Sequence, residues 1–119
     1  FIGIDSILVM KYGEGGIVNM SAHTDFADYS FMIALNDDFS GGTTYFHNNN
    51  CTDRDDEYTG AYNSCNESAS ARVSVGSVTI YSGSSIHYTT NVTAGSRYVL
   101  AGCVSMCSNR FCSELYDTE

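Results

Sequence analysis

Short apolar runs separated by glycine and small polar residues organise the chain. Residues 7–12 (ILVMKY) read as a strand closed by Gly13-Glu14-Gly15-Gly16, residues 17–25 as a second, and residues 29–36 (YSFMIALN), apolar on both faces, as a buried third. The turn Asp37-Asp38-Phe39-Ser40-Gly41-Gly42 leads into a fourth strand at 43–46. Beyond it the pattern dissolves into Asn, Asp, Ser and Gly, which predicts a long surface loop over 48–70 with Cys51 and Cys65 near its ends. Strand signals resume at 72–75, 77–81, 86–92 and 97–104, and the tail from Ser105 reads as irregular or as a short helix.

Eight short strands with glycine-rich turns, no amphipathic helix and no internal repeat predict an all-β fold, a double-stranded β-helix (jelly roll) core of about eight strands in two sheets. An immunoglobulin-like sandwich is the competing architecture, but it gives histidine no special place and the chain has no tryptophan for its core. The 119 residues, 43% of them hydrophobic, suffice for one domain over 1–119 and not for two. A formal charge of −9 argues against nucleic acid and anionic membranes as partners. No apolar run approaches the roughly 18 to 20 residues that cross a bilayer. The opening on Phe1 rather than Met is expected of a fragment. Five cysteines and four Asn-x-Ser/Thr sequons, at Asn19, Asn50, Asn66 and Asn91, tilt the compartment toward the secretory pathway and the lumen of the endoplasmic reticulum.

His23 and Asp25 stand two residues apart at the end of the second predicted strand. In extended backbone residues i and i+2 face the same side, so an imidazole and a carboxylate can converge there on one metal ion. His87, at the start of the seventh predicted strand, is the candidate third ligand, because a jelly roll can bring that position opposite the end of the second. Two histidines and one carboxylate leave three coordination positions open, the arrangement of non-haem Fe(II) oxygenases. Taken alone, His-x-Asp is more often a surface pattern, and the rest of the spacing is what lifts it above that reading.

Ten residues after His87 comes Arg97, in a strand with Val99, Ala101 and Cys103 on its own face and Tyr98, Leu100 and Val104 on the other. An arginine so placed is expected to be at least partly buried. A buried guanidinium needs an anionic partner, and its fork suits a carboxylate gripped by two hydrogen bonds. That partner is either an internal Asp or Glu or a bound ligand.

His23-x-Asp25, His87 and Arg97 in this spacing resemble the 2-oxoglutarate- and Fe(II)-dependent dioxygenases, and most of all the prolyl 4-hydroxylase and lysyl hydroxylase group. The likeness runs over residues 7–104. Val9-Met10-Lys11-Tyr12-Gly13 with Gly15-Gly16 is similar to the family's first core strand and turn. Ile33-Ala34-Leu35-Asn36 and Phe39-Ser40-Gly41-Gly42-Thr43-Thr44-Tyr45-Phe46 resemble its third and fourth strands, and the stretch from Gly76 to Tyr98 its closing half. The resemblance implies that His23, Asp25 and His87 ligate Fe(II), that Arg97 pairs with the distal carboxylate of 2-oxoglutarate, and that Tyr12 hydrogen-bonds the same cosubstrate. It also implies ascorbate as an accessory reductant, a prolyl or lysyl side chain of a peptide or protein as substrate, and release of succinate and CO2. Helices that the family places before the first core strand are absent from these residues.

Two departures stand out: Arg97 occupies a position that is Lys in many prolyl 4-hydroxylases and Arg in lysyl hydroxylases, and Asn91 one that is often Pro. The core motif also fits oxidation of a small molecule, or a non-catalytic, cupin-like binding jelly roll. The complete triad together with Arg97 favours catalysis.

Other features take blander readings. His47 is expected to be a polar residue at a strand end rather than a fourth ligand. Cys51 and Cys65 form either a disulfide or two free thiols, whereas Cys103, Cys107 and Cys112 lack zinc-ligand spacing. Asn19 and Asn91 share strand parity with His23 and His87, so glycans there are expected to meet the metal-facing side, and Asn50 and Asn66 are the better acceptors. The acidic run Asp53-Arg54-Asp55-Asp56-Glu57 is either a solvated loop tip or an attractor for a basic peptide.

Overall fold

The computed structural model describes residues 2–47, 67–72 and 74–106. Among them are ten strands and no helix, hence no helix long and apolar enough to cross a membrane. The strands are β1 (Ile2–Gly13), β2 (Met20–His23), β3 (Tyr29–Ala34), β4 (Ser40–Gly41), β5 (Thr44–His47), β6 (Glu67–Ala71), β7 (Val78–Ser82), β8 (His87–Thr89), β9 (Val92–Ala94) and β10 (Ser96–Met106). They pair antiparallel into two four-stranded sheets, ordered β1-β10-β3-β7 and β2-β8-β5-β6, and a two-stranded sheet of β4 and β9.

Period-two alternation explains how the first sheet is used. On β10, Arg97, Val99, Ala101 and Cys103 point into the space between the four-stranded sheets, and on β3 Ser30 and Met32 do the same. Tyr98 and Leu100 take the other side, opposite Lys11 and Val9 of β1. That outer side is strongly apolar: Ile7, Val9, Val78 and Ile80 are each more than half exposed. Between the sheets, Tyr12, Met32, Phe46, Ala71, Val92 and Val99 form the buried core. Fully burying such a large side chain is worth about 1.5–3 kcal/mol, so this core is what holds the sheets together.

The all-β class agrees with the sequence, and the strand count does not, ten against eight. The predicted strand at 86–92 is divided at Thr90 and Asn91, where the ladder changes partner: β8 pairs with β5, and β9 with β4. The switch is fixed by hydrogen bonds from Thr90 N to Thr43 O (3.0 Å) and from Gly42 N to Asn91 O (2.9 Å). The predicted turn at 37–42 accordingly contains β4. The strand expected at 72–75 lies earlier, as β6, whose sequence ESASA carries no apolar alternation because it is a sheet edge. Val75 and Gly76 instead form a turn, with Gly76 at φ 81°. Strand β1 begins five residues sooner than expected, and the second predicted strand is trimmed to β2. Ser105 and Met106, read as the start of an irregular tail, continue β10 opposite Gly3 and Ile2. The loop at 48–66 with Cys51, Cys65, Asn50, Asn66 and the acidic run lies outside the described residues, as do Cys107 and Cys112.

Candidate metal centre

His23 ends β2 and His87 opens β8, and the two are cross-strand partners with ring centroids 4.3 Å apart. Asp25 lies just past β2, where its N–H donates to Gly83 O at 2.8 Å. Each imidazole is fixed through Nδ1, which donates to a carbonyl two residues earlier: Ser21 O at 2.7 Å for His23 and Ser85 O at 2.9 Å for His87. A carbonyl only accepts, so Nδ1 carries the proton and Nε2 keeps its lone pair, as metal-binding histidines require. Both Nε2 atoms turn toward Asp25, at 3.5 Å from Oδ1 for His23 and 3.8 Å from Oδ2 for His87. The three ligand atoms lie within 4.8 Å of one another, a group that could hold a metal ion. Burial, the largest influence, lowers the pKa of His87 and so favours the neutral form that ligates.

The sequence-predicted pair Arg97 and Tyr12 lines the same cavity, about 220 Å³ in volume, as the His-Asp-His group. Arg97 is 6% exposed. Its Nη1 donates to Thr44 Oγ1 at 3.2 Å, Nη2 approaches Met32 Sδ at 3.6 Å, and the guanidinium lies 5.3 Å from the centroid of the Tyr12 ring. Among the described residues no carboxylate comes within ion-pair distance of it. Among the described residues, then, no internal salt bridge holds Arg97. Burial lowers its pKa, but a guanidinium stays charged at any ordinary pH, so among the described residues this is a buried cation served by neutral groups. Thr44 is itself 1% exposed and shares a hydrogen bond with Thr89 across β5 and β8. Tyr12 is buried too; desolvation raises its phenol pKa, with Arg97 opposing.

One cavity residue was not singled out in the sequence. Tyr81 of β7, in the opposite sheet, places its hydroxyl 3.5 Å from His87 Nε2 and lines the cavity with Asp25. Its ring packs edge-on to His87 at 4.8 Å and against Phe46 at 5.0 Å. Burial first, and then the Asp25 charge, push its pKa well up, so the hydroxyl remains a donor. Nothing in the sequence marks it among nine tyrosines except its place five residues after Gly76 on a cavity-facing strand.

His47 is buried and stacks on Tyr88 at 5.4 Å, outside the metal group, in line with its expected place at a strand end. The parity argument for Asn19 and Asn91 fails. Both are exposed and outside the cavity lining, and Asn19 Nδ2 donates to Asn91 Oδ1 at 2.6 Å. The irregular pairing between Met20 and His23 and the break after β8 interrupt the alternation that the parity assumed. Cys103, a half-buried free thiol, lines the cavity with its Sγ 3.7 Å from Ser30 Oγ. Neither protein-family models nor curated proteins give a match to this chain.

Proposed function

We propose that the chain is a 2-oxoglutarate- and Fe(II)-dependent dioxygenase that hydroxylates an unactivated C–H bond, the preferred substrate being a prolyl or lysyl side chain in a peptide or protein. The observation that carries this reading is a buried guanidinium without a carboxylate among the described residues, in the same cavity as an open three-donor metal group. A ligand with a carboxylate at one end and chelating oxygens at the other satisfies both ends of that cavity. The strand order supports the jelly-roll architecture: β1, β2, β3, β5 and then β7, β8, β10 alternate between the two four-stranded sheets.

In this reading His23 and His87 present neutral Nε2 lone pairs and Asp25 one negative charge, a donor set that suits Fe(II) and leaves half its coordination sphere open. Bound Fe(II), with 2-oxoglutarate and O2, supplies the oxidation that yields succinate, CO2 and hydroxylated product. Arg97 holds the distal carboxylate with two charge-assisted hydrogen bonds, and Thr44 and Tyr12 fix the guanidinium for that task. The burial of Arg97, Tyr12 and Thr44 keeps water from this end, which strengthens the ion pair. Leu8, Met10 and Met20 give the remaining wall an aliphatic character suited to an aliphatic side chain.

Anaerobic addition of Fe(II) and then 2-oxoglutarate is expected to give a weak visible charge-transfer band, and air should then release succinate, most with Pro- or Lys-containing peptides. His23→Ala or Asp25→Ala should abolish both. Full turnover in either variant removes the iron assignment, and no band in the wild type leaves a non-catalytic binding jelly roll.

A further inference from the structure

We infer that the substrate enters this cavity over Ser6, Leu8 and Cys103, at the end opposite Arg97, and that these three residues decide which side chain is admitted. What the substrate is rests on the preceding reading, and where it enters rests on exposure and strand register. The cavity-facing positions of β1 run from Tyr12, 5% exposed, through the half-buried Met10 to Leu8, 58% exposed, and on to the exposed Ser6. Those of β10 run from the buried Arg97 and Val99 to the half-buried Ala101 and Cys103. Strand length explains the gradient. β1 and β10 have 12 and 11 residues, whereas no described strand of the facing sheet exceeds five, so the long strands run on past their cover. The cavity is thus closed around the guanidinium and open where Ser6 stands opposite Cys103. A cosubstrate carboxylate held by Arg97 fills the closed end and leaves the open end to substrate.

Register connects this open end to the metal group. Ser6 of β1, Cys103 of β10, Ser30 of β3 and Tyr81 of β7 are successive cross-strand partners, and the row ends on the Tyr81 hydroxyl beside His87 Nε2. Neighbouring strands lie about 4.8 Å apart, which puts the backbone of Cys103 about 10 Å from that of Tyr81. A side chain together with the peptide that bears it covers that distance. The next row in, Leu8, Ala101 and Met32, is apolar and gives an aliphatic stem its track. Ser6, exposed at the lip, offers a hydroxyl to the peptide backbone, and Ser30 Oγ holds the Cys103 thiol at 3.7 Å on the floor between them.

Iodoacetamide should alkylate Cys103 in the folded, metal-free protein, as read by peptide mapping. Leu8→Trp, which covers the lip, should slow that reaction at least about fivefold without lowering the melting point. In turnover, Ser6→Trp and Cys103→Phe should each raise the KM for a Pro- or Lys-containing peptide at least about tenfold. Their affinities for Co(II) and for 2-oxoglutarate, by equilibrium dialysis, should stay within about twofold of wild type, because the closed end is untouched. Ser6 is exposed, so its variant decides the matter even where Cys103→Phe does not fold. A Cys103 that reacts only on unfolding, or as fast in Leu8→Trp as in wild type, overturns the inference. An unchanged peptide KM in Ser6→Trp does so too, and a rise in Met20→Trp instead would move the entry to β2, past His23. Alkylation as expected in a protein that releases succinate with no peptide would sink the dioxygenase reading while upholding the open end, so the two failures are told apart.

Discussion

Arg97 carries a charge that the described protein does not neutralise, and that makes its substitution diagnostic. Truncating one partner of a buried ion pair destabilises a protein by about 3–5 kcal/mol, because the other charge is stranded. Arg97→Met strands no carboxylate among the described residues and removes an unpaired cation, so the metal-free variant should melt within a few degrees of wild type. Its affinity for 2-oxoglutarate, measured by equilibrium dialysis, should fall by at least about 100-fold, the loss of two charge-assisted hydrogen bonds. A large drop in melting point with affinity preserved would mean that Arg97 is structural. At this scale much was legible, since three histidines and five basic residues in the whole chain make each spacing informative. Tyr81 was not, because its importance comes from the ring packing and the turn between β7 and β8, neither of which leaves a chemical mark on the sequence.

Strands with apolar alternation were visible before the structure, and those without it were not. The buried alternation of Ser30, Met32 and Ala34 makes β3 obvious, whereas β6 is polar and is defined only by the register of β5 beside it. The division of β8 from β9 is likewise a property of partner strands, set by Thr43 and Gly42 rather than by a turn signal at Thr90. The turn before β8 is tied closely to the site: Gly83 accepts from Asp25 N and donates to Asp28 O. A Cβ on Gly83 would lie 2.0 Å from Ala27 O, so the loop carrying Asp25 would have to move. Gly83→Ala should therefore cost about 1–3 kcal/mol in denaturant unfolding, as overpacking does, and weaken Co(II) binding as well. Unchanged metal affinity in that variant would show that the loop adjusts without displacing Asp25.

For the whole molecule, metal occupancy and pH act on the same balance. A metal at 100 times its dissociation constant stabilises the fold by about 2.7 kcal/mol, which for a domain of this size is a shift of about 10 °C in melting point. Chelation should remove that shift at neutral pH. Burial sets the His87 pKa below its ordinary value, so in mild acid the unfolded chain takes up a proton that the folded one resists. The metal-free protein is thus most stable above about pH 6.5 on this account, and loses stability as the pH falls through that value toward the lower pKa of the folded state. The metal-dependent shift should shrink over the same range, since protons and metal compete for Nε2. Melting curves with and without chelator at pH 7.5 and 5.5 check both, and an equal metal shift at the two values would remove the histidines from the ligand set.

The two ends of the cavity belong to different sheets. His23 and His87 stand on β2 and β8, while Tyr12 and Arg97 stand on β1 and β10. The span between the His-Asp-His group and the guanidinium is therefore a gauge, set by the thickness of the core packed around Met32, Phe46 and Val99. If the cavity takes a dicarboxylate as proposed, a substitution that thickens or thins that filling resets the length it accepts. On the proposed reading, selectivity for cosubstrate would drift while the His-Asp-His group and Arg97 stay the same.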